Sequence, residues 1–266
     1  MNLLPWIDLK KLHTSVCLNP NAISFLEQNT EFIDWTLLSE NKNAIPMLEQ
    51  NQDKINMSAC CRNTKGIHLL SLIPVNYVNW YWLSANPSAI HILLQNKDKI
   101  VWGKFCENTH PLAIDYLKQN PACIEWDYLS LNPAALPILQ NNMDKISWKC
   151  LCVNEGAIHL IEQNMDKICW WALSMNAMAI PILEKNIDRI IWHNLCLNRN
   201  AMHLLQKYPQ YISWINISMN PAIFELDYQQ LAIDRTQLIL EDLCKKTLAP
   251  SRIQYWLDNG MSIDDL

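Results

Sequence analysis

Glycine is nearly missing from this chain: Gly66, Gly103, Gly156 and Gly260 are the only four in 266 residues. Phosphate-cradling loops and dinucleotide fingerprints need clustered glycines, so both are excluded. Long apolar runs are missing too, and none approaches the roughly 20 residues of a membrane helix. The stretch from Met1 to Lys11 has no basic head before an apolar segment and does not read as a secretory signal. Nor is there a surplus of one charge. Lys and Arg number 21 against 26 Asp and Glu, a formal charge of −5, which gives no global pull toward nucleic acid or an anionic membrane. These absences fit a soluble, intracellular, cytoplasmic protein without a membrane partner. What remains is half hydrophobic, enough for a large core.

The chain repeats itself about every 22 residues. A β-branched residue recurs as Ile33, Ile55, Val78, Ile100, Ile124, Ile146, Ile168, Ile190 and Ile212, and it defines position 0. Position 2 is Trp35, Trp80, Trp102, Trp126, Trp148, Trp170, Trp192 and Trp214, with Met57 the exception. Position 8 is asparagine throughout, from Asn41, Asn63 and Asn86 to Asn198 and Asn220, and Asn19 extends the series back into a weak first unit. This pattern predicts an all-α solenoid of short helix pairs. Residues 1–220 form about ten units, and residues 221–266 form C-terminal helices that cap the last one. Asp at position 20 (Asp53, Asp98, Asp144, Asp166, Asp188) is expected to cap the first helix. Positions 0, 2 and 5 face the core. Asn at position 18 (Asn51, Asn96, Asn142, Asn164, Asn186) suits a left-handed turn in place of glycine. Pro46, Pro137 and Pro181 at position 13 require the second helix to start late, near position 10.

Position 6 alternates strictly: Cys17, Ser39, Cys61, Ser84, Cys106, Ser130, Cys152, Ser174, Cys196, Ser218. The true period is a pair of units, about 44 residues. Helices pack 8–10 Å apart, so successive cysteines of the series lie on the order of 20 Å apart, too far for disulfides or a shared zinc ion. They read as small buried side chains at a tight contact.

The string WYWLSANPSAIHILLQNKDKI from Trp80 to Ile100 is distinctive, as are NPAIFELDY from Asn220 to Tyr228 and PSRI from Pro250. Together they resemble a helical-repeat family that giant DNA viruses related to mimivirus encode in many copies. The resemblance covers nearly the whole chain and departs from the pattern at Met57, at Pro74 and around Trp6. It implies action in an infected host cell, a viral factory or the virion, and it lends no catalytic residues.

No reading of the sequence yields an enzyme, a cofactor or a metal. His68, His91, His159 and His203 at position 13 lie one unit or more apart, near 10 Å at the closest, beyond the reach of one zinc ion. Cys152 and His159 fall on different helices with no third residue to orient the base. Two binding readings stand. A basic residue at position 21 (Lys54, Lys99, Lys145, Lys167, Arg189) could form a phosphate-tracking ridge for RNA, although an aspartate beside each cancels most of the field. The other reading is a protein-binding scaffold. Positions 3, 4 and 7 vary between units, so the fold does not fix them. They include Tyr81, Trp82, Tyr128 and Trp171, and position 7 turns apolar in the second half: Leu131, Val153, Met175, Leu197 and Met219. Aligned along a solenoid, these residues form an apolar band with the composition of an interface, facing a protein partner of host or virus.

Overall fold

A computed structural model describes residues 1–72, 77–247 and 249–260. Pro74, Leu248 and the acidic Asp264–Asp265 end lie outside the described residues. The described chain is predominantly helical. A strand pair, Asn2–Leu3 with Phe224–Glu225, makes its one small sheet. The chain divides into two compact bodies. One is Leu3–Phe224, and the other is Glu225–Leu266 together with Met1–Asn2. Among the described residues, no helix is long and apolar enough to cross a membrane.

In the first body, the units from Ile33 onward begin with position 0 followed by a helix of four to six residues that starts at position 2, as in Trp35–Glu40 and Trp148–Leu151. Such short helices are unstable alone, because nucleation costs more than one turn of hydrogen bonds returns. They persist here because position 5 of each is sealed in the core (Leu38, Leu83, Phe105, Leu129, Leu151, Leu173, Leu195, Ile217). A 3-10 turn follows, then a second short helix such as Ile45–Gln50 or Ile180–Glu184. That helix starts at position 12 rather than 10. Pro46, Pro137 and Pro181 therefore occupy its second residue, where the missing N–H has no helical partner to lose.

Two expected caps are corrected. Asp53, Asp98, Asp144, Asp166 and Asp188 sit inside 3-10 turns and do not cap the first helix. Where a side chain caps it, position 1 does so: Asp34 accepts from the Thr36 and Leu37 N–H groups, and Asn56 from Ala59. The position 18 asparagines are not left-handed; Asn51 has φ −132° and Asn142 −141°, and the one positive φ among the described residues is at Gly260. Their carboxamides instead reach back four residues and donate to a carbonyl at the end of the second helix, as Asn51 Nδ2 does to Met47 O at 2.9 Å. Asn96, Asn142, Asn164 and Asn186 repeat the bond. A side-chain donor satisfies the carbonyl that a glycine turn would have satisfied with backbone.

The position 8 asparagines hold the units together. Each is buried, with no more than 3% of its surface exposed. Each Oδ1 accepts from the N–H two residues on and so caps the 3-10 turn; Asn132 to Ala134 (2.9 Å) is typical. Each Nδ2 donates to the position 6 carbonyl of the preceding unit, at 2.8–3.2 Å. In all but Asn154 a second bond to the preceding position 8 carbonyl is present, as from Asn132 to Asn108 O at 3.0 Å.

This series has no first member. Asn19 Nδ2 donates to Ser218 O and Asn220 O at 3.2 and 2.7 Å, the same bonds that Asn41 makes to Cys17 O and Asn19 O. The 3-10 turn Thr14–Leu18 packs on the helix Trp214–Met219. Ser15 Oγ donates to Ile215 O (2.7 Å), Asn21 Nδ2 to Pro221 O (2.9 Å), and the Leu4 N–H to Ile223 O (2.9 Å). Residues 13–21 therefore cover the face of the last unit that the sequence pattern assigns to the C-terminal helices. The asparagine bonds close into a cycle.

The closure makes a measurable difference. Asn132→Ala removes two donated bonds and a cap, and should lower unfolding free energy by about 2–4 kcal/mol in urea melts followed by circular dichroism. Asn19→Ala should cost about as much. In an open array Asn19 would only cap its own turn, and the loss would be nearer 1 kcal/mol.

Candidate binding surface

Position 6 does more than accept a small residue. Ser39 Oγ donates to Trp35 O (2.6 Å) and accepts from the Asn56 N–H of the next unit (2.9 Å). Ser84, Ser130 and Ser174 repeat both bonds. Ser218 makes them across the seam, accepting from the His13 N–H at 3.0 Å. The sulfur of the cysteine units takes the same N–H: Cys17 from Asp34 (3.2 Å), Cys106 from Glu125 (3.4 Å), Cys152 from Cys169 (3.4 Å) and Cys196 from Ser213 (3.3 Å). The sequence carried a sign of this. Alanine, the other small residue, never occupies position 6, and it has no acceptor. Burial pushes the thiols of Cys17, Cys61, Cys152 and Cys196 up, and that of Cys106 up to about 11. None of the ten cysteines is in a disulfide.

The tryptophans of position 2 are half-buried rather than enclosed, with one side against the core. A lid lies over each. Lys54 covers Trp35 at 4.7 Å, Lys99 covers Trp80 at 5.0 Å, and Lys145 covers Trp126 at 4.9 Å. Lys167 covers Trp148 at 4.6 Å, and the Arg189 guanidinium covers Trp170 at 5.3 Å. Tyr116 and Tyr211 stack on Trp102 and Trp192 instead, and Lys11 covers Trp214 across the seam at 5.2 Å. The basic ridge of position 21 thus helps to hold the fold, because a cation over an indole face contributes about 0.5–1 kcal/mol at an exposed site. Beside these pairs open clefts between successive second helices. One, of about 370 Å³, is lined by Leu117, Ile124, Trp126, Ile138 and Lys145, and its counterpart of about 430 Å³ is lined by Ile33, Trp35, Met47 and Lys54.

Positions 3, 4 and 7 separate into two environments. Position 4 points into the junction between units. Ala59, Ala172, Asn194 and Asn216 are buried there, and Asn194 Nδ2 donates to Trp171 O at 2.7 Å. Trp82 and Tyr128, both at position 4, pack against the core. They meet Tyr81 around the Lys104 ammonium, which lies 5.2, 5.3 and 5.2 Å from Tyr81, Trp82 and Tyr128 and 2.7 Å from Glu107. The Arg62 guanidinium also lies over the Trp82 ring, at 4.2 Å, and pairs with Glu40 at 2.8 Å. Charge repulsion from Tyr81, and then its hydrogen bond, push the Tyr128 phenol up.

Positions 3 and 7, four residues apart, lie on the solvent side of the first helix and of the residues that follow it. Tyr81 is 41% exposed and Trp171 51%, and Ile215 joins them at 52%, a residue that its sequence context does not single out. Leu131, Val153, Met175, Leu197 and Met219 are half-buried, and Val153 alone of the five packs against the core. Leu18 continues their row across the seam. The histidines of position 13 are exposed on the second helices; His68 pairs with Glu49 and His203 with Glu184, and no group of three metal-ligating side chains occurs among the described residues. No protein-family model matches this chain, and comparison with curated proteins and with solved structures gives no match either.

Two substitutions separate the acceptor from the size requirement at position 6. Cys106→Ser should stay within about 1 kcal/mol of the parent, because serine fills this place in alternate units. Cys106→Val strands the Glu125 N–H and should cost about 1–3 kcal/mol. The raised thiol also sets a pH window. Its contribution is complete below the ordinary thiol value of 9.0 and is lost as pH rises from there to about 11. Melting temperatures of the parent should therefore fall more steeply over that interval than those of Cys106→Ser.

Proposed function

We propose that Leu3–Phe224 is a helical-repeat solenoid closed into a ring, and that it serves as a non-catalytic scaffold for protein–protein interaction. The observation that carries this reading is the row of half-exposed apolar side chains at positions 3 and 7. It runs from Leu131 through Val153, Met175, Leu197 and Met219 to Leu18, with Trp171 and Ile215 standing beside it. Scattered single apolar residues on a surface need no explanation, but a contiguous row does. Several first helices pack on their neighbours, as Trp80–Ala85 does on Trp102–Cys106 and Trp214–Met219 on Thr14–Leu18. In a closed array the tighter layer is the inner one. The row then lines half of the inner wall, while Glu40, Arg62 and Glu107 at position 7 make the other half polar. A partner with one apolar and one charged side suits that wall. The likeness of the Trp80–Ile100 string to giant-virus repeats makes the infected host cell the place to look for the partner.

The ridge reading for RNA has less support, since Lys54, Lys99, Lys145, Lys167 and Arg189 each lie over an indole.

The test uses the split between positions. The triple change Tyr81→Ala, Trp171→Ala and Leu197→Ala should abolish capture of protein partners from host-cell extract while shifting the melting temperature by no more than about 4 °C. Trp82→Ala with Tyr128→Ala should instead lower the melting temperature markedly. Unchanged capture by the triple variant would refute the inner wall as the binding face. Co-purified RNA lost steeply with salt would favour the ridge.

A further inference from the structure

The Tyr228–Thr247 helix carries a row of exposed apolar side chains. Ile233 is 58% exposed, Ile239 50%, Leu240 55% and Leu243 51%. Ala232, Thr236, Ile239 and Leu243 follow one another at steps of four, three and four, the spacing of a helix–helix seam. Ile233 and Leu240 flank the seam on one side, and Arg235 and Asp242 on the other. Arg235 is exposed and forms no ion pair among the described residues. Among the described residues Asp242 pairs only with Lys246 of its own helix, at 2.7 Å between side chains more than 60% exposed.

We propose that this face binds the same face of a second copy of the chain, antiparallel and about a two-fold axis. The argument is self-complementarity in a single register. Setting Thr236 opposite Ile239 of the second copy also sets Ala232 opposite Leu243, a small side chain against a large one. On one flank Ile233 then meets Leu240, apolar against apolar. On the other Arg235 meets Asp242, opposite charges. A two-fold contact needs each residue of a pair to suit the other in both directions, and these four pairs do. Sliding the helices by one turn brings Asp242 near Ile239 and leaves Arg235 unmatched.

Sedimentation equilibrium of the full chain between about 1 and about 200 µM tests this. The parent should associate to a dimer. Arg235→Glu and Asp242→Arg should each raise the dissociation constant at least about tenfold, because each sets like charges opposite one another at both ends of the pair. Mixed in equal amounts, the two variants should associate again: Glu at 235 of one chain then faces Arg at 242 of the other, and Asp242 faces Arg235. A far-UV helix signal equal to that of the parent controls for folding. Should either charge variant lose that signal, Leu240→Gln supplies the same reading, with dimer lost and helix kept. A parent that stays monomeric throughout overturns the proposal. So do single variants that dimerise like the parent, a mixture that stays monomeric, or a helical Leu240→Gln that still dimerises.

Discussion

The buried carboxamide at position 8 is the constraint on which the rest depends. Its oxygen caps the turn of its own unit and its nitrogen binds the unit before. An aspartate there would bring no donor and would set a charge against two carbonyls. A serine has one donor where two carbonyls wait. Asparagine alone, among side chains short enough for the space, supplies two N–H groups and an acceptor together. Because the bonds run from a side chain to backbone, they fix the spacing of units whatever residues line the outer faces.

Short helices make this bond network necessary. A helix of four to six residues leaves most of its end groups without helical partners. Here the ends are met one by one: position 6 takes an N–H of the next unit, position 8 caps the 3-10 turn, and position 18 donates back to the second helix. Among the described residues no buried side-chain nitrogen or oxygen lacks a partner. Apolar burial at position 5 supplies the driving force, and the polar positions supply the geometry. The half-buried tryptophans are covered by cations and stacked tyrosines. With spacing and ends settled by these positions, positions 3 and 7 are left free to vary.

The candidate surface was legible in part. Variation at positions 3, 4 and 7 marked residues that the fold does not specify, and Tyr81 and Trp171 are exposed. The sequence could not tell position 4 from position 3, because adjacent residues on so short a helix differ by a rotation that only the neighbouring unit reveals. Trp82 and Tyr128 consequently belong to the junction around Lys104. The same blindness hid the lids on the indoles. A lysine nineteen residues after a tryptophan looks like a solvated ridge until the second helix folds back and carries it over the ring.

Periodicity determined the helical class, the length of the unit, the identity of position 5 as core and the demand for asparagine at position 8, since each of these is a requirement repeated locally in every unit. The even alternation of Cys and Ser over ten units is likewise written in the chain. Whether ten units make an open row or a closed one was decided only in three dimensions. Every interface, the seam included, uses the same kinds of contact, so no residue announces the closure. It appears where Asn19 comes within hydrogen-bonding distance of Ser218 and Asn220, a contact between distant parts of the chain that no local pattern encodes.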